Sequence, residues 1–141
     1  MRSTRDVYLE VGTKKVFAGA LDWPGWCRSG RDEHDALEAL VAYGPRYRRA
    51  LGRAGRGFTS PRGPSRLHVV ERLKGDATTD FGAPGTAPTA DERPLADAEA
   101  RRQVALLKAI WQTFDRISRA AQGKALTKGP RGGGRALDAI V

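Results

Sequence analysis

The run Asp22-Trp23-Pro24-Gly25-Trp26-Cys27-Arg28-Ser29-Gly30 constrains this chain more than any other stretch. It carries two of the three tryptophans and the single cysteine. Tryptophan is costly to leave in water, and Pro-Gly turns a chain sharply. Two tryptophans around such a turn predict either a packed corner or a surface that binds a partner. The flanks decide what the corner joins. Before it, Val7-Tyr8-Leu9-Glu10-Val11 and Val16-Phe17-Ala18-Gly19-Ala20-Leu21 are rich in β-formers and separated by Gly12-Thr13-Lys14-Lys15. That pattern predicts a β-hairpin with a four-residue connection. After it, Trp26-Cys27-Arg28-Ser29 predicts a short third strand that Gly30 ends.

A helix is predicted next. Asp32 stands where an N-cap belongs, and Glu33 and Asp35 place acid in the first turn, where the helix dipole favours it. Ala36, Leu37, Leu40, Val41 and Tyr43 or Gly44 then share one face at spacings of three and four. Gly44-Pro45 predicts an interruption, with Pro45 opening a short second helix that carries Tyr47, Ala50 and Leu51. Residues 52–66 form a basic loop of Gly, Arg, Pro and Ser. A fourth strand follows in Leu67-His68-Val69-Val70-Glu71-Arg72-Leu73, with Leu67, Val69, Glu71 and Leu73 as the buried face despite the acid among them. The order β-β-β-α-(α)-β describes an α+β domain over residues 1–73, a small antiparallel sheet with a helix on one face.

Composition then shifts. Residues 74–94 are dominated by Gly, Asp, Thr, Ala and Pro. They read as a linker between domains that wraps the surface, with Phe81 its candidate anchor. From Pro94 or Leu95 to about Gln122 runs the strongest helical pattern in the chain. Val104, Leu107, Trp111, Phe114 and Ala121 recur at three-four spacing, and Leu106, Ile110 and Ile117 widen the stripe. Such a face is broad enough to require a substantial partner surface. Gly123 suits the residue after a helix end. A basic glycine loop, Lys128 to Arg135, leads to Ala136-Leu137-Asp138-Ala139-Ile140-Val141, the start of another helical pattern. A two-turn helix has little to gain alone. The pattern predicts a fragment, a truncated reading frame or half of an assembly, with 95–141 as a helical extension.

Bulk properties bound the partners. The 141 residues include 25 Lys and Arg against 16 Asp and Glu, a net charge of +9. A basic balance favours acidic partners such as nucleic acid. Arginine in excess of lysine, with abundant Ala, Gly and Pro, is also what a GC-rich genome imposes. A lone cysteine makes no internal disulfide and fits a reducing compartment. No stretch has the length of a membrane span, and no apolar run follows the basic N-terminus as in a signal peptide. The expectation is a soluble, cytoplasmic protein without a cofactor.

Two resemblances attach to these residues. Pro24, Cys27, Gly30 and Ala36 fall in the order of the strand-to-helix run of the HicB-like fold, and the first 73 residues resemble that family. Asp35 replaces the family's Glu before Ala36, and the spacing around Gly25 is shorter. The resemblance implies a three-stranded sheet, a helix and a further strand, in a family known as the antitoxin partner of HicA toxins. Those antitoxins usually bind DNA through a separate C-terminal helix-turn-helix or ribbon-helix-helix segment, and neither pattern is present here. From about residue 95 the chain resembles the opening of DinB-like four-helix proteins. In that family the second helix supplies the first histidine of a metal triad, and the sequence reaches Val141 before one. The combination, with Lys-Gly-Pro-Arg-Gly-Gly-Gly-Arg at 128–135, is similar to actinobacterial proteins that join both parts.

Side chains able to carry chemistry are few. His34 and His68 lie on separate elements, with no Cys or His at ligand spacing, so no metal site is expected. Cys27 beside Arg28 and ahead of a helix start is a candidate thiolate, but no histidine is near in sequence, and a packed thiol is the plainer reading. Residues 129–135 lack a preceding strand and a Gly-Lys-Ser/Thr pattern, so they read as a connection rather than a phosphate loop. No catalytic residue is assigned. Arg46, Arg48, Arg49, Arg53, Arg56, Arg62 and Arg66 form a basic tract interleaved with Tyr43, Tyr47 and Phe58, a pattern that contacts phosphates and stacks bases. Trp23, Trp26, Arg28, Trp111 and Phe114 are candidates for contact with a protein partner or a second copy, since aromatic residues and arginine concentrate in binding hot spots. The leading expectation is a non-enzymatic interaction module. The alternatives are a truncated relative of DinB-like metal-dependent thiol transferases and a nucleic-acid-binding protein using the Arg46–Arg66 tract.

Overall fold

A computed structural model describes residues 5–129 and 132–141. The loose start expected at residues 1–5 therefore lies almost wholly outside the described residues, as do Pro130 and Arg131 of the glycine loop.

The architecture is α+β. Strands β1 (Asp6–Val11), β2 (Val16–Ala20) and β3 (Cys27–Gly30) precede helix α1 (Glu33–Leu51), strand β4 (His68–Lys74), the short helix α2 (Ala77–Phe81) and the long helix α3 (Asp97–Ala121). The sheet order is β3-β2-β1-β4. The predicted hairpin is present, with Val7 opposite Ala20 and Val11 opposite Val16. The sheet is mixed rather than antiparallel throughout, because β4 runs parallel to β1. A strand that follows a helix crossing one sheet face returns in the starting direction, which is how parallel neighbours arise.

Alternation sets one face of β1 and β2 against the helix. Val7 and Leu9, with Val16 and Ala18, face α1 and enter a core completed by Ala36, Leu40, Tyr47 and Leu51 of that helix. The helix begins as expected, with the Asp32 side chain accepting the Asp35 N–H at 2.8 Å. At Gly30 the end of β3 lies tight against the first turn of α1. A Cβ on it would collide with the backbone of Asp35 and Ala36.

The interruption expected at Gly44-Pro45 does not occur, and α1 continues through Pro45 to Leu51. A proline inside a helix costs about 3 kcal/mol through its lost N–H and ring clash. Burial of Tyr47 and Leu51 beyond it offsets that cost. Gly44 is buried where a Cβ would strike Ser60, so the loop after the helix closes onto its middle. The fourth strand keeps its expected alternation only in part. A bulge sets Val69 opposite Val7 but Glu71 opposite Tyr8. Val69 therefore reaches the core, whereas Glu71 turns to the other sheet face and Arg72 reaches across to Glu33 at 2.8 Å.

That other face is covered by the stretch after β4, which wraps the surface as the composition suggested. Glu10 is fully buried there, accepting from Thr79 Oγ1 (2.8 Å), the Thr86 N–H (2.7 Å) and the Gly85 N–H (3.0 Å). Thr89 donates to Glu71 through both its N–H (3.0 Å) and its hydroxyl (2.6 Å). α2 opens with a capping box between Asp76 and Thr79. Phe81, expected to be the anchor, is instead 79% exposed. The anchors are polar because the surface they cover offers carboxylate oxygens and backbone groups.

Asp80 in α2 closes this strap on the hairpin loop. Its carboxylate accepts the N–H groups of Lys14 (2.7 Å), Lys15 (3.1 Å) and Thr13 (3.2 Å). The Lys14 hydrogen bond, with those of Thr13 and Lys15, holds its pKa below the ordinary carboxylate value. Its contribution is present above the unfolded value, about 3.9, and is lost as pH falls through the lower folded one. Amide exchange at Thr13–Lys15 is therefore expected to accelerate only below about pH 4 beyond its intrinsic pH dependence. Asp80→Asn is expected to accelerate it already at neutral pH. Loop protection unchanged in that variant would show that Asp80 does not hold the hairpin.

Candidate functional site

The tryptophan corner folds inward. Trp23 and Trp26 bracket a turn with Pro24 second and Gly25 third, where Gly25 has φ +87° and the Trp26 N–H meets the Trp23 carbonyl at 3.1 Å. A positive φ at the third position is the signature of a type II turn and favours glycine. Trp26 donates its indole N–H to the Leu40 carbonyl at 2.9 Å, in the turn of α1 before Pro45. Tyr47 donates its hydroxyl to the Pro24 carbonyl at 2.8 Å. Phe58 stands at the centre of the group, edge-on to Trp26 (4.8 Å), Trp23 (5.2 Å) and Tyr47 (5.2 Å).

Trp23 and Trp26 are thus buried, and neither belongs to a docking patch. The same holds for Tyr47 and Phe58, which the basic tract had offered as base-stacking groups. Both are core residues. Tyr43 alone of those three aromatics keeps a partly open ring, and Arg28 (4.3 Å) and Arg46 (5.5 Å) already lie over it. Arg46, Arg49, Arg53 and Arg56 are exposed, while Arg48 donates to the Gly52 carbonyl at 2.7 Å and caps the end of α1. The arginines form a charged surface without the interleaved stacking platform that single-stranded nucleic acid requires.

The corner has a second role, as the socket for α3. Leu106 of α3 is buried in the same core as Trp23 and Trp26, and Ile110 packs at its edge. The Arg102 guanidinium lies over the Trp23 ring at 5.0 Å, donates to the Asp22 carbonyl, and is held by Glu99 at 2.7 and 3.0 Å. Thr113 donates its hydroxyl to the Ala50 carbonyl at 2.7 Å. One side of α3 is therefore docked by a single buried leucine and a few polar contacts.

The expected stripe lies on another side. Val104, Leu107, Trp111, Phe114 and Ile117 are each between 45% and 60% exposed. Scattered surface hydrophobes are ordinary, but five large ones in a row are not. At the N-terminal half of the stripe Val104 and Leu107, with Leu95, Ala100, Pro24 and Gly25, line an apolar groove of about 580 Å³. Trp111 and Phe114 were legible as candidates from spacing. Val104 and Leu107 obey the same spacing and belong with them. Pro24 and Gly25 join only through the fold.

The remaining candidates are dispersed. Cys27 faces the strap, and burial first, then the charge of Glu10, pushes its thiol up to about 11 against the opposing effect of Arg28. It is a thiol at neutral pH and the nucleophile reading loses its support. His68 meets Asp6 at 3.0 Å and His34 lies 3.9 Å from Glu38. Among the described residues no group of three or more His, Cys, Asp or Glu is placed to hold a metal ion. In the glycine loop the Gly129 N–H donates to the Gly133 carbonyl at 2.7 Å. Beyond it lies a single 3-10 turn, Leu137–Ala139, rather than the start of an α-helix. Among the described residues no helix is long and apolar enough to cross a membrane. No family model, curated protein or solved structure matches this chain.

Proposed function

We propose that this chain is a non-enzymatic interaction module whose working surface is the exposed apolar face of α3, held in place by the tryptophan corner. The observation that carries this reading is the stripe Val104-Leu107-Trp111-Phe114-Ile117, about half exposed along a well-formed helix whose docking side is a different one, with Leu106 and Ile110 as its apolar contacts and Arg102 and Thr113 as its polar ones. Burying five such side chains is worth on the order of 1 kcal/mol or more apiece, a gain the isolated chain forgoes. The succession β-β-β-α-β over the first 73 residues supports a relation to HicB-like domains, themselves partners of other proteins, and a cytoplasmic setting accords with the unpaired Cys27. The arginine surface supports nucleic-acid binding less well, because Tyr47 and Phe58 are occupied in the core.

If the stripe serves binding, it contributes little to the fold of one copy. Trp111→Ser with Phe114→Ser is expected to leave the thermal midpoint within about 3 °C of the parent at submicromolar protein. The same variant is expected to lose several-fold in binding of an apolar fluorescent dye. A midpoint falling by ten degrees or more would make the stripe structural and sink the proposal.

A further inference from the structure

We infer that the occupant of this face is a second copy of the chain, its α3 lying antiparallel to the first across a two-fold axis between Leu107 and Trp111. The inference rests on the interaction reading and goes further by naming the partner and its orientation.

The spacing 104-107-111-114 alternates three and four, the seam of a paired helix. Along that seam the ends differ in the chemistry of the hollows beside them. The N-terminal half holds the groove beside Pro24, Gly25, Leu95, Val104 and Leu107. The C-terminal half presents Phe114, 52% exposed, beside a hollow lined largely by polar residues, with Asp115, Ser118, Arg119 and Gln122 among its walls. Pocket and projection lie ten residues apart, about 15 Å along the helix. A second α3 running the opposite way sets its Phe114 over Val104 and its Trp111 over Leu107, and the symmetry repeats both contacts. Such a face is self-complementary, which a two-fold interface requires. Running parallel, the aromatic residues would meet each other and both grooves would stay empty.

Charge agrees with that direction. Arg101 and Asp115, both exposed, flank the seam on the same side. Antiparallel pairing brings Arg101 of each copy to Asp115 of the other. It also brings Asp97 of the first turn toward the basic end at Arg119, with the helix dipoles opposed. Lys108 meets its own copy near the axis, one like-charge approach against two favourable pairs. Leu95, exposed, arrives at the second copy's C-terminal end, where Ile140 and Val141 are also exposed. Five half-exposed side chains per copy bury roughly 1,000 Å², the lower edge of a specific interface. The pairing is thus expected to be weak and concentration-dependent.

Sedimentation equilibrium of the full chain tests it. The parent is expected to pass from monomer to dimer over micromolar to hundreds of micromolar protein. Arg101→Asp or Asp115→Arg alone should weaken the dimer about tenfold or more, with far-UV circular dichroism unchanged. The double variant R101D/D115R should recover most of the loss, because the two positions meet only when the helices oppose. A dimer that the single variants do not weaken, or that the double variant does not rescue, overturns the antiparallel pairing. A chain that stays monomeric at hundreds of micromolar overturns the second copy as occupant. In that case dye binding that Trp111→Ser abolishes would leave the interaction reading standing, and absence of dye binding would remove it as well.

Discussion

Trp26→Ala is expected to destabilise the protein by about 3–5 kcal/mol, the range for removing a buried aromatic side chain. Trp26 is 1% exposed. It is edge-on to Phe58, stacked with Tyr47 at 6.2 Å, and bonded through its indole N–H to the Leu40 carbonyl. Removing it opens a cavity at the junction of sheet, α1 and α3. Close packing there leaves nothing free to fill the space. A loss of this size is a large part of the roughly 5–15 kcal/mol that a domain of this length possesses. Trp111→Ala, 60% exposed, is expected to cost under about 1 kcal/mol. Urea midpoints of the two variants measured side by side at submicromolar protein check the assignment. Equal losses would mean that the corner is not the keystone of the fold.

The second large effect is expected at Glu10. Its two side-chain oxygens are the acceptors for Thr79, Gly85 and Thr86. Glu10→Leu keeps the bulk but removes every acceptor, leaving a hydroxyl and two backbone N–H groups buried and unpaired. Each such group costs about 1–3 kcal/mol, so lifting residues 75–92 into water becomes the cheaper outcome. The expected result is a loss of about 3 kcal/mol, with rapid amide exchange at Gly85 and Thr86 and proteolysis within the strap. Glu10→Gln should be much milder. Its amide oxygen still serves Gly85 and Thr86, and the Thr79 hydroxyl turns to accept from the amide nitrogen. A leucine variant whose strap stays protected from exchange would show that hydrophobic cover, not Glu10, holds it.

How much of the fold was legible depends on the range of each interaction. The hairpin, the Asp32 cap and the extent of α3 rest on contacts within a few residues, and their patterns are visible along the chain. The α1 break at Pro45 was expected on the same local grounds and did not occur, since Tyr47 and Leu51 gain more by burial than the proline costs. The strap was hardest to read. Its residues are small and polar without periodicity, and its strongest anchor, Glu10, lies 75 and 76 residues from its partners Gly85 and Thr86. The bulge that moves Glu71 from one face to the other is likewise invisible to a strict alternation rule.

The candidate surface divides in the same way. Spacing alone assigned Val104, Leu107, Trp111 and Phe114 to one face of a helix, because 3.6 residues per turn leaves no alternative. It also placed two tryptophans around a Pro-Gly turn. Which aromatic residues were to be buried was decided by tertiary structure alone. Phe58 arrives from a loop more than thirty residues beyond the corner and seals Trp23 and Trp26 away from solvent. Leu106 then docks α3 against them and turns the neighbouring stripe outward. Periodicity is a property of one helix, whereas burial depends on what distant segments bring to each of its sides.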